Sequence, residues 1–188
     1  MIRPLESAWE VGQFFTDHGI RYAVIGGLAV QVWGEARLTI DADLTIASSL
    51  DQGSAPLVKL ITEQFHSRIA APLEFAHKTR MILVTASNGV DVDISLALPG
   101  YEDVMLERGI DYELEPGKSI YLCSAEELII HKAIAGRPQD VLDIQGIVYR
   151  QGKTLDISYI RSWLAQFSTL LENPAVQERF EQAWQNLT

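Results

Sequence analysis

The chain has 188 residues, 47% of them hydrophobic and 21% charged, with a net charge of −10 from 25 acidic and 15 basic side chains. A chain of this size and composition can bury a core without disulfides or structural metal, and its single cysteine, Cys123, excludes an intrachain disulfide and a cysteine zinc site. The acidity argues against broad, non-specific nucleic-acid binding, which needs a basic surface.

In chain order, residues 5–18 carry Leu5, Ala8, Trp9, Gly12 and Phe15 at helical spacing and stop at His18-Gly19. Tyr22-Ala23-Val24-Ile25 reads as a short buried strand running into Gly26-Gly27, and residues 28–34 as a short helix closed by Gly34. From Leu38 to Ile46 apolar and polar residues alternate, the mark of a half-buried strand with Ile40, Ala42 and Leu44 turned inward. Residues 54–67 read as a helix. Strands over 81–85 and 90–96 flank Asn88-Gly89, a strong hairpin signal. A helix follows near 101–107, then a hairpin over 111–122 turning at Pro116-Gly117.

Beyond Cys123 the pattern is helical. Ser124 and Glu127 form a capping box, and helices are expected over 125–135, 138–150, 156–171 and 174–187. The division expected is an α/β core over 1–122 and a C-terminal helical region over 123–188, packed on the core. The fold class is α/β (α+β), with a mixed, mostly antiparallel sheet flanked by helices. No apolar run approaches the roughly 20 residues of a membrane helix. The opening Met1-Ile2-Arg3-Pro4-Leu5-Glu6 does not follow a signal-peptide pattern, so the expected compartment is the cytoplasm.

The chemistry concentrates in the acidic residues. Asp41 and Asp43 are two apart in a strand, so both side chains leave one face, roughly 6.6 Å apart at the Cα atoms. At that separation two carboxylates repel by about 2.5 kcal/mol in an effective dielectric near 20. A hard divalent cation such as Mg²⁺ cancels the repulsion. Asp91 and Asp93 repeat the spacing on a second strand, and pairing of the two strands would crowd four carboxylates at one end of a sheet. Gly26-Gly27, at a strand-to-helix turn, lets backbone amides approach a phosphate.

An apolar strand, Gly-Gly, a thirteen-residue spacer, Asp41-Ala42-Asp43 and a later acidic strand together resemble the nucleotidyltransferase superfamily related to DNA polymerase β. Within it, Val24-Ile25-Gly26-Gly27-Leu28-Ala29-Val30, with Arg37-Leu38-Thr39-Ile40-Asp41-Ala42-Asp43, looks like the AbiEii-type toxin group and its relatives. Val92-Asp93-Ile94-Ser95-Leu96 looks like that group's third acidic strand, and residues 127–143 like its Lys, Arg and Asp helix region. The resemblance covers roughly residues 20–146.

It implies a nucleotidyltransferase fold and transfer of a nucleoside monophosphate from a nucleoside triphosphate to a hydroxyl, with Mg²⁺ or Mn²⁺. Metal ligation and catalysis would fall to Asp41, Asp43 and Asp93, with Asp93 also helping to deprotonate the attacking hydroxyl. Gly26 and Gly27 would contact the triphosphate, Arg37 and Thr39 would orient the strand or touch nucleotide, and Lys132 would meet triphosphate oxygens as a point charge. Read without the resemblance, Lys132 is an ordinary exposed helix lysine. Arg137, Asp140 and Asp143 read equally as a salt-bridge set at a helix start. The histidines His18, His66, His77 and His131 show no ligand spacing, and the tryptophans read as packing residues. Gly-Gly replaces the Gly-Ser of many members, removing a serine contact to phosphate. The acceptor is tRNA or protein, as in the toxin of a toxin–antitoxin pair, or a small molecule, as in antibiotic adenylyltransferases. A non-catalytic partner that keeps the fold and binds nucleotide or protein stands beside these.

Overall fold

The computed structural model describes residues 1–47 and 54–186. Helix α1 (Arg3–Asp17) opens the chain with Pro4 in its first turn, where a missing N–H costs nothing. It buries Ala8, Val11 and Phe15 completely. Strand β1 (Tyr22–Val24) runs almost directly into α2 (Gly26–Trp33). There follow β2 (Ala42–Ile46), α3 (Ala55–Gln64), β3 (His66–Ser67), α4 (Pro72–Thr79), β4 (Met81–Thr85) and β5 (Asp91–Leu96). After these come α5 (Tyr101–Arg108), β6 (Ile110–Glu115) and β7 (Lys118–Leu122). The rest is helical: α6 (Ala125–Ala135), α7 (Pro138–Gln151), α8 (Ile157–Leu170) and α9 (Ala175–Gln185). Residue 187 of the last predicted helix lies outside the described residues. No helix among the described residues is long and apolar enough to cross a membrane.

The strands form one seven-stranded sheet in the order β3-β4-β5-β2-β1-β7-β6. Pairing is antiparallel except for β2 with β5 and β1 with β7, so the sheet is mixed and mostly antiparallel as expected. Asn88-Gly89 makes the β4–β5 turn, with Gly89 at φ 81°, and Pro116-Gly117 makes the β6–β7 turn, with Gly117 at φ 79°. Alternation fixes the faces. Ala42, Leu44 and Ile46 of β2 and Val92, Ile94 and Leu96 of β5 are buried. Asp43, Thr45, Asp91, Asp93 and Ser95 take the other face. Helix α1 packs against β1, β2 and β7, and α4 against β4.

Two expectations fail locally. The predicted strand over 38–46 begins only at Ala42, whose partner is Val92. Ahead of it Leu38 and Ile40 are 84% and 76% exposed, and Thr39 is the buried residue. The alternation of residues 38–41 is therefore not a strand face: no neighbouring strand pairs with them, and Thr39 turns inward to bond Asp41. The predicted helix over 54–67 stops at Gln64, because Phe65 is extended at φ −114°, ψ 146° and buries its ring. His66–Ser67 then pair with Thr85 and Val84, and α4, absent from the sequence reading, follows.

The described chain divides into two compact units. The first comprises residues 1–28 and 38–123 and holds the sheet. In the second, residues 29–37 join the chain from Ser124 onward. Here α6 packs against α7, α8 and α9, with Ile129, Ile147, Ile160, Leu164 and Phe180 fully buried. Ser124 caps α6 through the Glu127 amide at 3.3 Å, and Asp156 caps α8 through that of Tyr159 at 3.0 Å. Trp163 stacks on Phe167 and Trp184 on Phe180, both packing roles.

Ile94 is 0% exposed on β5, between β4 and β2. Ile94→Ala is expected to lower the unfolding free energy by about 2–5 kcal/mol, seen as a lower urea midpoint at unchanged slope.

Candidate metal and nucleotide site

The parallel pairing of β2 with β5 places Asp43 directly beside Asp93 and Thr45 beside Ser95. Cross-strand partners share a face, so the two carboxylates stand on neighbouring strands, about 4.8 Å apart at the backbone. Thr45 and Ser95, one pleat further along, share a hydrogen bond of 2.7 Å between their hydroxyls. Asp41 lies just before β2 and is half-buried, held by the Thr39 hydroxyl, which donates to Oδ1 at 2.9 Å. Thr39 thus orients a carboxylate of the pair.

The glycine turn meets the same carboxylates. Gly26 has φ 63°, which side chains other than glycine rarely adopt. A Cβ there would run into the Asp43 carboxylate, and one on Gly27 would come within 2.6 Å of Thr39 Oγ1. The Ile25 amide donates to the Asp43 carbonyl at 2.9 Å, tying the turn to β2. The two glycines are therefore needed for closeness as well as for the turn, and the start of α2 opens beside the acidic face.

Arg68 is the residue missing from the sequence reading. It follows β3, and its amide donates to the Leu83 carbonyl at 3.0 Å. One terminal nitrogen donates to Asp91 Oδ2 at 2.9 Å and the other to Asp93 Oδ1. Nothing local announces it, since its partners lie 23 and 25 positions away.

The donor set is all oxygen, which suits a hard divalent cation. As the side chains lie, no three His, Cys, Asp or Glu residues among those described converge closely enough to hold a metal ion. Asp93 faces Arg68.

Arg37 and Lys132 belong to the second unit. Lys132 is not the exposed lysine of the plain reading: it is 5% exposed, with Nζ 2.6 Å from Asp143 and 3.2 Å from Asp140. Arg37 makes a two-pronged bond to Asp143 at 2.9 and 3.0 Å, and Gln139 adds a third donor at 2.9 Å. Arg137 grips Asp140 through Nε at 2.7 Å, and Asp140 accepts from the Arg137 amide at 3.1 Å, which caps α7. The salt-bridge reading of these residues describes this arrangement. Burial works to raise both aspartates, but donors from Arg137 and Lys132 on Asp140, and from Arg37, Lys132 and Gln139 on Asp143, hold both below the usual range. Next to Lys132, burial first and the neighbouring ammonium second push His131 down to about 4.

Neither a family model nor a curated protein matches the chain by sequence. By structure, an antigenic nucleotidyltransferase-like protein from Paracoccidioides brasiliensis is similar over 94% of this chain and 93% of its own, at TM-score 0.53 and 17% identity. The chain has a nucleotidyltransferase fold. ANT(2")-Ia, solved in complex with adenylyl-2"-tobramycin, matches at TM-score 0.53 and 15% identity, over 89% of this chain and 96% of its own. The lincosamide antibiotic adenylyltransferase LnuA, solved with lincomycin, matches at TM-score 0.50 and 13% identity, over 76% and 94%. At these identities the nucleotidyltransferase fold is what is shared.

Two outcomes follow for the second unit. Removing the ammonium in Lys132→Met leaves two buried carboxylates short of a partner, and the unfolding free energy is expected to fall by about 3–5 kcal/mol in urea titrations. A histidine depressed in the folded state takes up its proton more readily unfolded, so stability falls as pH drops from about 6.5 toward about 4. His131→Gln is expected to flatten that stretch of the stability–pH curve measured by thermal melts.

Proposed function

We propose that the protein transfers a nucleoside monophosphate from a nucleoside triphosphate to a hydroxyl acceptor, with Asp41, Asp43 and Asp93 holding Mg²⁺ or Mn²⁺. The observation that carries the reading is the in-register pair Asp43 and Asp93, with the Asp43 carboxylate packed where a Cβ on Gly26 would stand. The cation, when bound, neutralises the triphosphate and polarises the α-phosphorus.

The chain's own groups supply the rest. The amides of Gly26 and Gly27, at the positive end of α2, donate to phosphate oxygens. Thr39 keeps Asp41 turned into the site. Asp93 accepts the proton of the attacking hydroxyl. The new bond joins that oxygen to the α-phosphorus, the α–β bridging bond breaks, and pyrophosphate leaves with its electron pair. Within the second unit, Arg37 and Lys132 both hold Asp143.

For the acceptor, tRNA or protein is the reading attached to the AbiEii-type resemblance, and with it an antitoxin partner. A small molecule has separate support: the net charge of −10 disfavours a polyanion, and two antibiotic-modifying proteins share the fold over most of both chains.

Calorimetric titration of each of the four NTPs with Mg²⁺ tests the proposal. One NTP is expected to bind only with metal, and Asp41→Asn/Asp43→Asn to lose that binding while remaining folded. No binding of any NTP to the folded wild type would sink the transferase reading in favour of a partner protein.

A further inference from the structure

The row of residues through the acidic pair extends to the sheet edge. Asp43 stands beside Asp93, Asp93 pairs with Leu83, and the Leu83 carbonyl accepts a hydrogen bond from the Arg68 amide. Arg68 therefore occupies the next place in the same row. Its backbone is fixed from both sides: the Leu83 bond anchors it, and Ser67 Oγ before it donates to the Ile69 carbonyl at 2.8 Å. From that anchor the side chain crosses Leu83 and reaches the carboxylates of β5. The guanidinium bridges Asp91 and Asp93, its side chain is 25% exposed, and its Nε is buried with no hydrogen-bond partner among the described residues.

Without compensation the in-register carboxylates of Asp43 and Asp93 repel each other. Arg68 supplies a permanent charge to one of them. It also occupies lone pairs of Asp93 that the proposed function gives to a metal ion. Both cannot be strong at once, because a guanidinium and a divalent cation at one carboxylate repel each other. Asp91 gives the guanidinium a second partner at 2.9 Å, at the exposed end of β5.

We propose that Arg68 is a positioning residue that competes with the divalent cation for Asp93 and so sets the metal affinity of the site, with Asp91 as its resting partner when the cation is bound. This rests on the assignment of Asp93 as a metal ligand. It gives Asp91 a role that spacing alone left open.

The test is Mn²⁺ alone, titrated by calorimetry into the full chain, wild type against Arg68→Gln, Arg68→Lys and Asp41→Asn/Asp43→Asn, each first checked by thermal melting. Arg68→Gln is expected to bind Mn²⁺ about ten-fold more tightly, and Arg68→Lys, which keeps the charge but cannot bridge two carboxylates, to fall between. An arginine that merely supported the fold would give the opposite order: weaker binding in Arg68→Gln and near-wild-type binding in Arg68→Lys. If Arg68→Gln does not fold, the Arg68→Lys affinity decides alone, with no tightening overturning the proposal. Wild-type binding that is lost in the double aspartate variant but unchanged in the Arg68 variants overturns this inference and leaves the metal site standing. No Mn²⁺ binding by any folded form overturns both.

Discussion

The parallel ladder between β2 and β5 is the constraint on which the rest depends. Its register puts Asp43 next to Asp93 on the face opposite Leu44 and Ile94. A slip of one residue would bury the carboxylates and expose the core side chains. The apolar face thus fixes the polar one: the burial that holds the sheet on α1 also holds the carboxylates together, against their own repulsion. Position 26 must then be glycine, since the turn that closes on β2 leaves no space for a Cβ beside Asp43.

Charge is handled differently in the two units. On the sheet, the acidic face is half-exposed and compensated from its edge by Arg68, whose guanidinium bridges Asp91 and Asp93. In the helical unit, Lys132, Arg37, Arg137 and Gln139 enclose Asp140 and Asp143, which are 1% and 4% exposed. Breaking such a buried network strands a charge, so it behaves as a fixed brace.

Much of the candidate site was legible because its signals are local. Strand alternation around Asp43 and Asp93, the Gly26-Gly27 turn and the hairpin at Asn88-Gly89 each occupy a few consecutive residues, where spacing alone constrains geometry. The same logic misled ahead of Ala42, where Leu38 and Ile40 continue the period but have no partner strand and lie exposed. It also carried the helix of α3 past Phe65, since an apolar residue there fits a helical face as well as the extended turn it takes.

By itself the sequence determined the local pieces: acidic residues two apart at the start of β2 and on β5, behind a glycine turn, in a chain whose last third is helical. Only the tertiary structure decided the partners. That β2 and β5 run parallel with Asp43 and Asp93 in register, that Arg68 reaches both Asp91 and Asp93, and that Lys132 is buried between Asp140 and Asp143 are products of packing. A pairing between distant segments is selected by the whole core closing at once, and no periodicity within either segment encodes it.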